Sequence, residues 1–290
     1  MSVAFSIDLH CHSNLSDGTL PPREVVARAR AVGVDVLALT DHDTVEGIAE
    51  AQEAALAEGI VLIPGVEISV TWMAQTIHVV GLRVDTANVA LCEGLAALQL
   101  KRIERARAIG HKLEKAGVLG AYEEAVAAAG IPAVTRTHFA RYLLEHGHAK
   151  DMDQAFKRWL GRTGKAYVRG EWISLGEAVA LIKGAGGQAV VAHPARYKVT
   201  PRRLSDMLRE FKAAGGVGVE VACGSHSEDD RRRFALIATQ MQLLSSVGSD
   251  FHSPANVRVE LGRSLMLPPG CVPIWDSWGL APRVELQEVS

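Results

Sequence analysis

The chain has 290 residues, 48% of them hydrophobic and 22% charged, with a formal net charge of −2 at pH 7. That balance describes a globular protein of one large or two smaller domains with a sizeable core, and it excludes a disordered chain. It also argues against broad electrostatic binding to long nucleic acid, while leaving room for a local basic pocket around a small anion.

In chain order, "VAFSI" reads as a buried strand that runs into the polar stretch "DLHCHSNLSDGT" at residues 8–19. The segment "LPPREVVARARAVG" opens with prolines suited to a helix start and stops at Gly33. "VDVLALTDH" is a short continuous apolar strand, the pattern of a strand covered on both faces. A helix over "TVEGIAEAQEAALAEG" and two strands, "IVLIPGVEIS" and "TIHVVGL", follow. The alternation resumes later with helix "SLGEAVALIKGAGG", strand "QAVVAHP", helix "TPRRLSDMLREFKAAGG" and strand "VGVEVAC". It closes with helix "SEDDRRRFALIATQMQ" and strand "LLSSVGSDFH". Seven strands mostly separated by helices predict an α/β fold with a parallel barrel or barrel-like sheet.

Between about Leu91 and Trp172 the strand pattern gives way to four helical stretches ending in glycine, read as a helical insertion after the fourth strand. The charges of "KRIERARAIGHKLEK" read as one solvated helix face. The four cysteines, Cys11, Cys92, Cys223 and Cys271, show neither C-x-x-C pairing nor zinc-ribbon spacing and are expected as reduced thiols. No signal peptide and no membrane-length apolar run is apparent, so the expected location is cytoplasmic. Nothing in the sequence identifies a protein partner.

Polar ligand-type residues gather where the strands end. The first strand ends in His10 and His12, with Asp17 in the loop behind them. The second ends in Asp41, His42 and Asp43, and the third in Glu67. His78 lies in the fourth strand, His193 ends the fifth, and Asp250 and His252 end the seventh. Active sites of barrel folds collect at the C-terminal ends of the strands, and neutral imidazole with carboxylate is the standard ligand set for borderline divalent cations. The set therefore points to a metal centre. Cys11 alternates away from the His10 and His12 face and is expected in the core. His111 reads as solvated, His146 and His148 as helix C-terminal residues, and His226 as a loop histidine.

The ordered segments "DLHCHSNLSDG", "LALTDHDT", "PGVEI", "VVAHP" and "GSDFH" resemble the motifs of the PHP (polymerase and histidinol phosphatase) family across nearly the whole chain. The resemblance implies a distorted (β/α)7 barrel over residues 1–90 and 173–290, with residues 91–172 as a substrate-selecting cap. It also implies two or three manganese, zinc or iron ions. Carried over, His10, His12, Glu67 and Asp250 hold one ion; Glu67 bridges to a second held by His78 and His193; Asp17, His42 and His252 hold a third. Some relatives have histidine where Asp17 stands, and the extra oxygen ligand favours Mn²⁺.

Within the insertion, "TRTHFARYL" and "GRTGKAYV" resemble the branch containing nucleoside-3',5'-bisphosphate phosphatase and short-oligonucleotide 5'-exonucleases. That branch usually has proline where Thr137 stands, while Arg136 and His138 match it. Arg136, Lys165 and Arg196 suit a phosphate, since arginine offers a planar donor fork and lysine a point charge. Tyr167 and Trp72 are aromatic candidates either for stacking on a base or for packing. The expected activity is metal-dependent removal of the 3'-phosphate from a small nucleotide such as 3',5'-adenosine bisphosphate. Exonuclease action on short 5'-phosphorylated oligonucleotides is expected beside it. His193 is a candidate proton carrier. A histidinol-phosphate phosphatase would share the metals without needing the insertion. A non-catalytic binding module would have lost ligands that all stand here.

Overall fold

A computed structural model describes residues 6–263 and 265–280. Of the expected first strand, Val3, Ala4 and Phe5 lie outside the described residues. Strand β1 (Ile7–Cys11) leads into α1 (Pro22–Ala31), and β2 (Val36–Leu39) into α2 (Ile48–Glu58). Strands β3 (Val61–Trp72) and β4 (Gln75–Leu82) then follow with no helix between them. Four helices come next: α3 (Val89–Lys115), α4 (Ala121–Ala129), α5 (Arg136–Glu145) and the short α6 (Met152–Ala155), which runs into a π-turn at Phe156–Leu160. The barrel rhythm returns with α7 (Leu175–Gly184), β5 (Gln188–Val191), α8 (Pro201–Ala214), β6 (Gly218–Cys223), α9 (Glu228–Met241) and β7 (Leu244–Gly248).

The seven strands lie side by side in chain order. The expectation of a parallel sheet needs one correction: β4 is antiparallel to both β3 and β5, while the other neighbouring pairs are parallel. The cause is local. β3 turns back through Met73 and Ala74, at φ 43° and 68°, a two-residue left-handed turn whose twist matches the flanking strands. With no crossover segment, consecutive strands can only pair antiparallel. The sheet closes where His12 N donates to Phe251 O at 2.9 Å and Asp250 N to His10 O at 2.8 Å.

Closure creates an interior filled from every strand, with Leu9, Ala38, Ile63, Val80, Val190, Ala222 and Val247 in one buried cluster. Cys11 faces the opposite layer, packed with Val25, Val26 and Leu37 under α1 and α2, as expected for a core thiol. The four cysteines are free. Among the described residues no helix is long and apolar enough to cross a membrane.

Helix α3 joins two cores. Leu91, Leu95 and Leu98 pack with Trp172, Leu175 and Val179 against the barrel. About two helical turns later Ala106, Ile109 and Leu113 belong to a separate cluster with Phe139, Leu143 and Trp159. Asn88 caps α3 by accepting from Leu91 N, so the helix begins just before the expected start of the insertion. The second cluster packs α3, α4, α5 and the π-turn together, and Thr135, Thr137 and Arg141 of α5 and its cap reach Asp17 in the loop after β1.

Candidate metal centre

Six of the seven strands, or the loops that follow them, deliver a ligand-type side chain to one buried place; β3 runs past its expected end to Trp72, so Glu67 lies within it, as His78 lies within β4. Glu67, fully buried on β3, is the hub: His42 Nδ1, His78 Nδ1 and His193 Nε2 each lie 2.9 Å from its oxygens, and His10 and His12 Nε2 lie at 3.4 Å. Asp250 follows β7, with Oδ1 3.3 Å from His12 Nε2 and 3.7 Å from His10 Nε2. Its position depends on a close approach of β7 to β1, since a Cβ added at Gly248 would lie 2.2 Å from the His10 Cβ. Asp17 Oδ1 is 3.0 Å from His252 Nε2 and 3.9 Å from His42 Nε2. His193 and Asp250 hold φ values of 28° and 57°, left-handed conformations that cost a non-glycine residue roughly 1–3 kcal/mol and concentrate at functional sites.

All nine sequence-derived ligand candidates therefore converge. Three groups have ligand atoms mutually within 4.8 Å: His12, Asp17, His42 and His252; His10, His12 and Glu67; His42, Glu67 and His78. His42 stands in two of these groups, so it lies between the positions that the family resemblance separates. Asp17 Oδ1, His42 Nδ1, Glu67 Oε2 and His193 Nδ1 are buried with no hydrogen-bond partner among the described residues. Buried polar atoms are nearly always paired, and a crowd of imidazole and carboxylate atoms left over in one place fits divalent cations.

The charges support the same reading. Burial pushes the Glu67 carboxyl up, but the imidazoles of His42, His78 and His10 outweigh it and hold it well below the ordinary range. Burial and the neighbouring His252 lower His12 to about 3, and burial lowers His78 to about 4, so both rings are neutral and able to ligate. Against burial, Asp17 and Asp250 raise His252 to about 9.

Several supporting residues carry no motif. Glu220 on β6 accepts from His10 Nδ1 at 2.6 Å and from His193 N, which turns His10 Nε2 toward Glu67. Its only trace in the sequence is a lone glutamate inside the apolar "VGVEVAC". Asp41 accepts from Ser13 and Ser16, and Asp43 pairs with Arg102 at 2.6 Å. Arg102 is thus buried and structural, which corrects for this residue the expectation of a solvated α3 face. Tyr197 Oη donates to Ala192 O at 2.7 Å and accepts from His78 N at 2.9 Å, tying two ligand-bearing strands together.

The residues expected at substrate are less uniform. Arg136, at the start of α5, is half-buried, and burial lowers its pKa with Arg102 adding to the effect. Burial likewise lowers Arg105, with Arg136 and Arg102 as further causes, so these guanidiniums crowd one another beside Tyr167. Arg196 pairs with Asp250 at the edge of the centre. His138 is committed to the helix cap, its Nδ1 accepting from Thr135 N at 3.0 Å. Lys165 is exposed, with Nζ 5.2 Å above the Trp159 ring. Trp72 packs in the core and donates from Nε1 to Glu210 at 2.7 Å, which leaves it no stacking role. His111 is exposed, His146 caps the end of α5, and His226 is buried with Nδ1 3.0 Å from Val221 O.

Comparison with known proteins agrees with this geometry. The chain is 47% identical over 271 residues to a 3',5'-nucleoside bisphosphate phosphatase of Chromobacterium violaceum, covering 93% of this chain and 95% of that one. It is 46% identical over 271 residues to a 5'-3' exoribonuclease of Haemophilus influenzae, covering 93% and 98%. A solved structure of an amidohydrolase from Chromobacterium violaceum, holding sulfate and no metal, superposes with a TM-score of 0.90 at 47% identity, covering 93% of this chain and 94% of that one. The PHP domain model matches residues 8–170. With that match over more than half of the chain, and relatives at 46–47% identity, the chain belongs to the PHP domain family.

Proposed function

We propose that this protein is a metal-dependent phosphoesterase that removes the 3'-phosphate of nucleoside 3',5'-bisphosphates. We propose further that it releases 5'-mononucleotides from short 5'-phosphorylated oligonucleotides. The observation that carries this reading is the gathering of eight imidazole and carboxylate side chains around Glu67, with the guanidiniums of Arg105 and Arg136 nearby. His10, His12, Glu67 and Asp250 would hold one ion, Glu67, His78 and His193 a second, and Asp17, His42 and His252 a third. Three carboxylates among these ligands favour Mn²⁺ over softer-ligand metals. When bound, such ions activate water and neutralise charge on phosphoryl oxygens.

The protein's own groups do the rest. Residues 91–172 act as a cap over the barrel. Burial lowers the pKa of both Arg136 and Arg105, and a dianionic 5'-phosphate would meet these guanidiniums with bidentate contacts. Arg196, held by Asp250, faces the reacting phosphate, and Tyr167 lies beside the handle. The same arrangement admits a 5'-phosphorylated dinucleotide, whose first internucleotide ester occupies the place of the 3'-phosphate ester. The test is to assay 3',5'-adenosine bisphosphate, 3'-AMP and histidinol phosphate side by side with Mn²⁺. The bisphosphate should give the highest kcat/KM, and a preference for histidinol phosphate would overturn the assignment.

A further inference from the structure

Three contacts from α5 converge on the single residue Asp17. The hydroxyls of Thr135 and Thr137 donate to its Oδ2 at 3.2 and 3.0 Å, and the Arg141 guanidinium donates to its backbone oxygen at 2.7 Å. Both hydroxyls use the same carboxylate oxygen. The other, Oδ1, is buried and faces His252 Nε2 at 3.0 Å and His42 Nε2 at 3.9 Å. A carboxylate held by two donors on one oxygen presents the second in a fixed direction, as outer-shell partners of metal ligands do.

The two threonines differ in what else they do. Thr135 is the N-cap of α5: it accepts from Thr137 N and forms a capping box with His138. The Thr137 hydroxyl, in contrast, reaches out of the helix to Asp17, so its loss leaves the cap intact. The second core makes α5 part of the cap, whereas Asp17 belongs to the barrel loop after β1. The contact therefore crosses from the cap to a candidate metal ligand.

Resting on the metal-dependent reading above, we infer that Thr137 is a positioning residue for the His12–Asp17–His42–His252 group, and that filling this group and seating α5 on the barrel are coupled. Coupling is reciprocal: if a seated α5 tightens metal binding, bound metal tightens the seating of α5 by the same factor. The cap would then be drawn down most firmly when the centre is loaded.

The experiment uses the full chain stripped of metal, with the variants Thr137→Val, which keeps the side-chain shape, and Thr137→Ser, which keeps the hydroxyl. Mn²⁺ binding is followed by calorimetry, and amide hydrogen exchange over residues 135–145 is followed at each Mn²⁺ concentration. Wild type should gain protection over α5 as Mn²⁺ binds. Thr137→Val should bind one equivalent about 10- to 100-fold more weakly, the usual effect of removing an outer-shell partner, with protection shifted to matching concentrations. Thr137→Ser should restore wild-type behaviour. If Thr137→Val matches wild type in stoichiometry and affinity, or if α5 exchange ignores Mn²⁺, the coupling is wrong while the metal centre stands. If wild type itself binds no Mn²⁺, the metal-dependent reading falls, and the coupling with it.

Discussion

Replacing Glu67 by glutamine keeps the volume of a fully buried side chain and removes one negative charge at the point where five imidazoles meet. Two of those rings contact Oε1 and three contact Oε2, so a neutral amide changes the ligand field on both sides at once. Two unit charges about 4 Å apart at an effective dielectric near 20 interact by about 4 kcal/mol, and a divalent ion strengthens that. At about 1.4 kcal/mol per tenfold, the lower bound is roughly a thousandfold loss of affinity for a bridged ion. Metal content of Glu67→Gln, measured by elemental analysis after dialysis, should fall below that of wild type by at least one equivalent, with turnover of 3',5'-adenosine bisphosphate nearly abolished. A variant that keeps full metal content and wild-type turnover would refute the bridging role and the reasoning behind it.

Arg136→Ala should lower kcat/KM for a nucleoside 3',5'-bisphosphate by about 10- to 100-fold, the value of a lost charge-assisted contact of roughly 1.5–3 kcal/mol. It should leave p-nitrophenyl phosphate almost unaffected, and equal losses on both substrates would place Arg136 at the reacting phosphate instead. Glu220→Gln should weaken metal binding about 10- to 100-fold without removing a ligand, because His10 loses the carboxylate that fixes its ring; unchanged metal affinity would contradict that role. The metal-free protein holds the His252 proton to about 9, above the ordinary 6.5. Its stabilising effect is therefore complete below about 6.5 and lost as pH rises through about 9. A metal needs the neutral ring, so Mn²⁺ binding at neutral pH should release a proton and tighten as pH rises over that window. Calorimetry in buffers of different ionisation enthalpy would show the release, and buffer-independent heats would argue against His252 as a ligand.

What could be read from the sequence was what repeats with the fold. His10, His12, His42, His193, Asp250 and His252 all stand at or just past strand ends, a spacing imposed by the barrel itself, whereas Glu67 lies midway along β3, which runs on to Trp72. What could not be read depends on contacts between distant segments. Met73 and Ala74 are not residues that announce a left-handed turn, so the reversal that makes β4 antiparallel was hidden. Arg102 sits in a run of charges whose other members include solvated ones, and only the approach of Asp43 and Ser69 shows that it is buried. Glu220 looks like any strand residue until His10 is brought 210 positions back to it. Lys165 and Trp72 carry suitable chemistry, but packing on Trp159 and a bond to Glu210 direct them elsewhere.

The orientation of substrate between cap and centre is the central claim, and the identity of the nucleotide product tests it most directly. Incubating 3',5'-adenosine bisphosphate with the Mn²⁺-loaded protein and separating the products by chromatography should give 5'-AMP and inorganic phosphate, with added 5'-AMP left intact. Release of 3'-AMP, or rapid hydrolysis of 5'-AMP, would contradict the account.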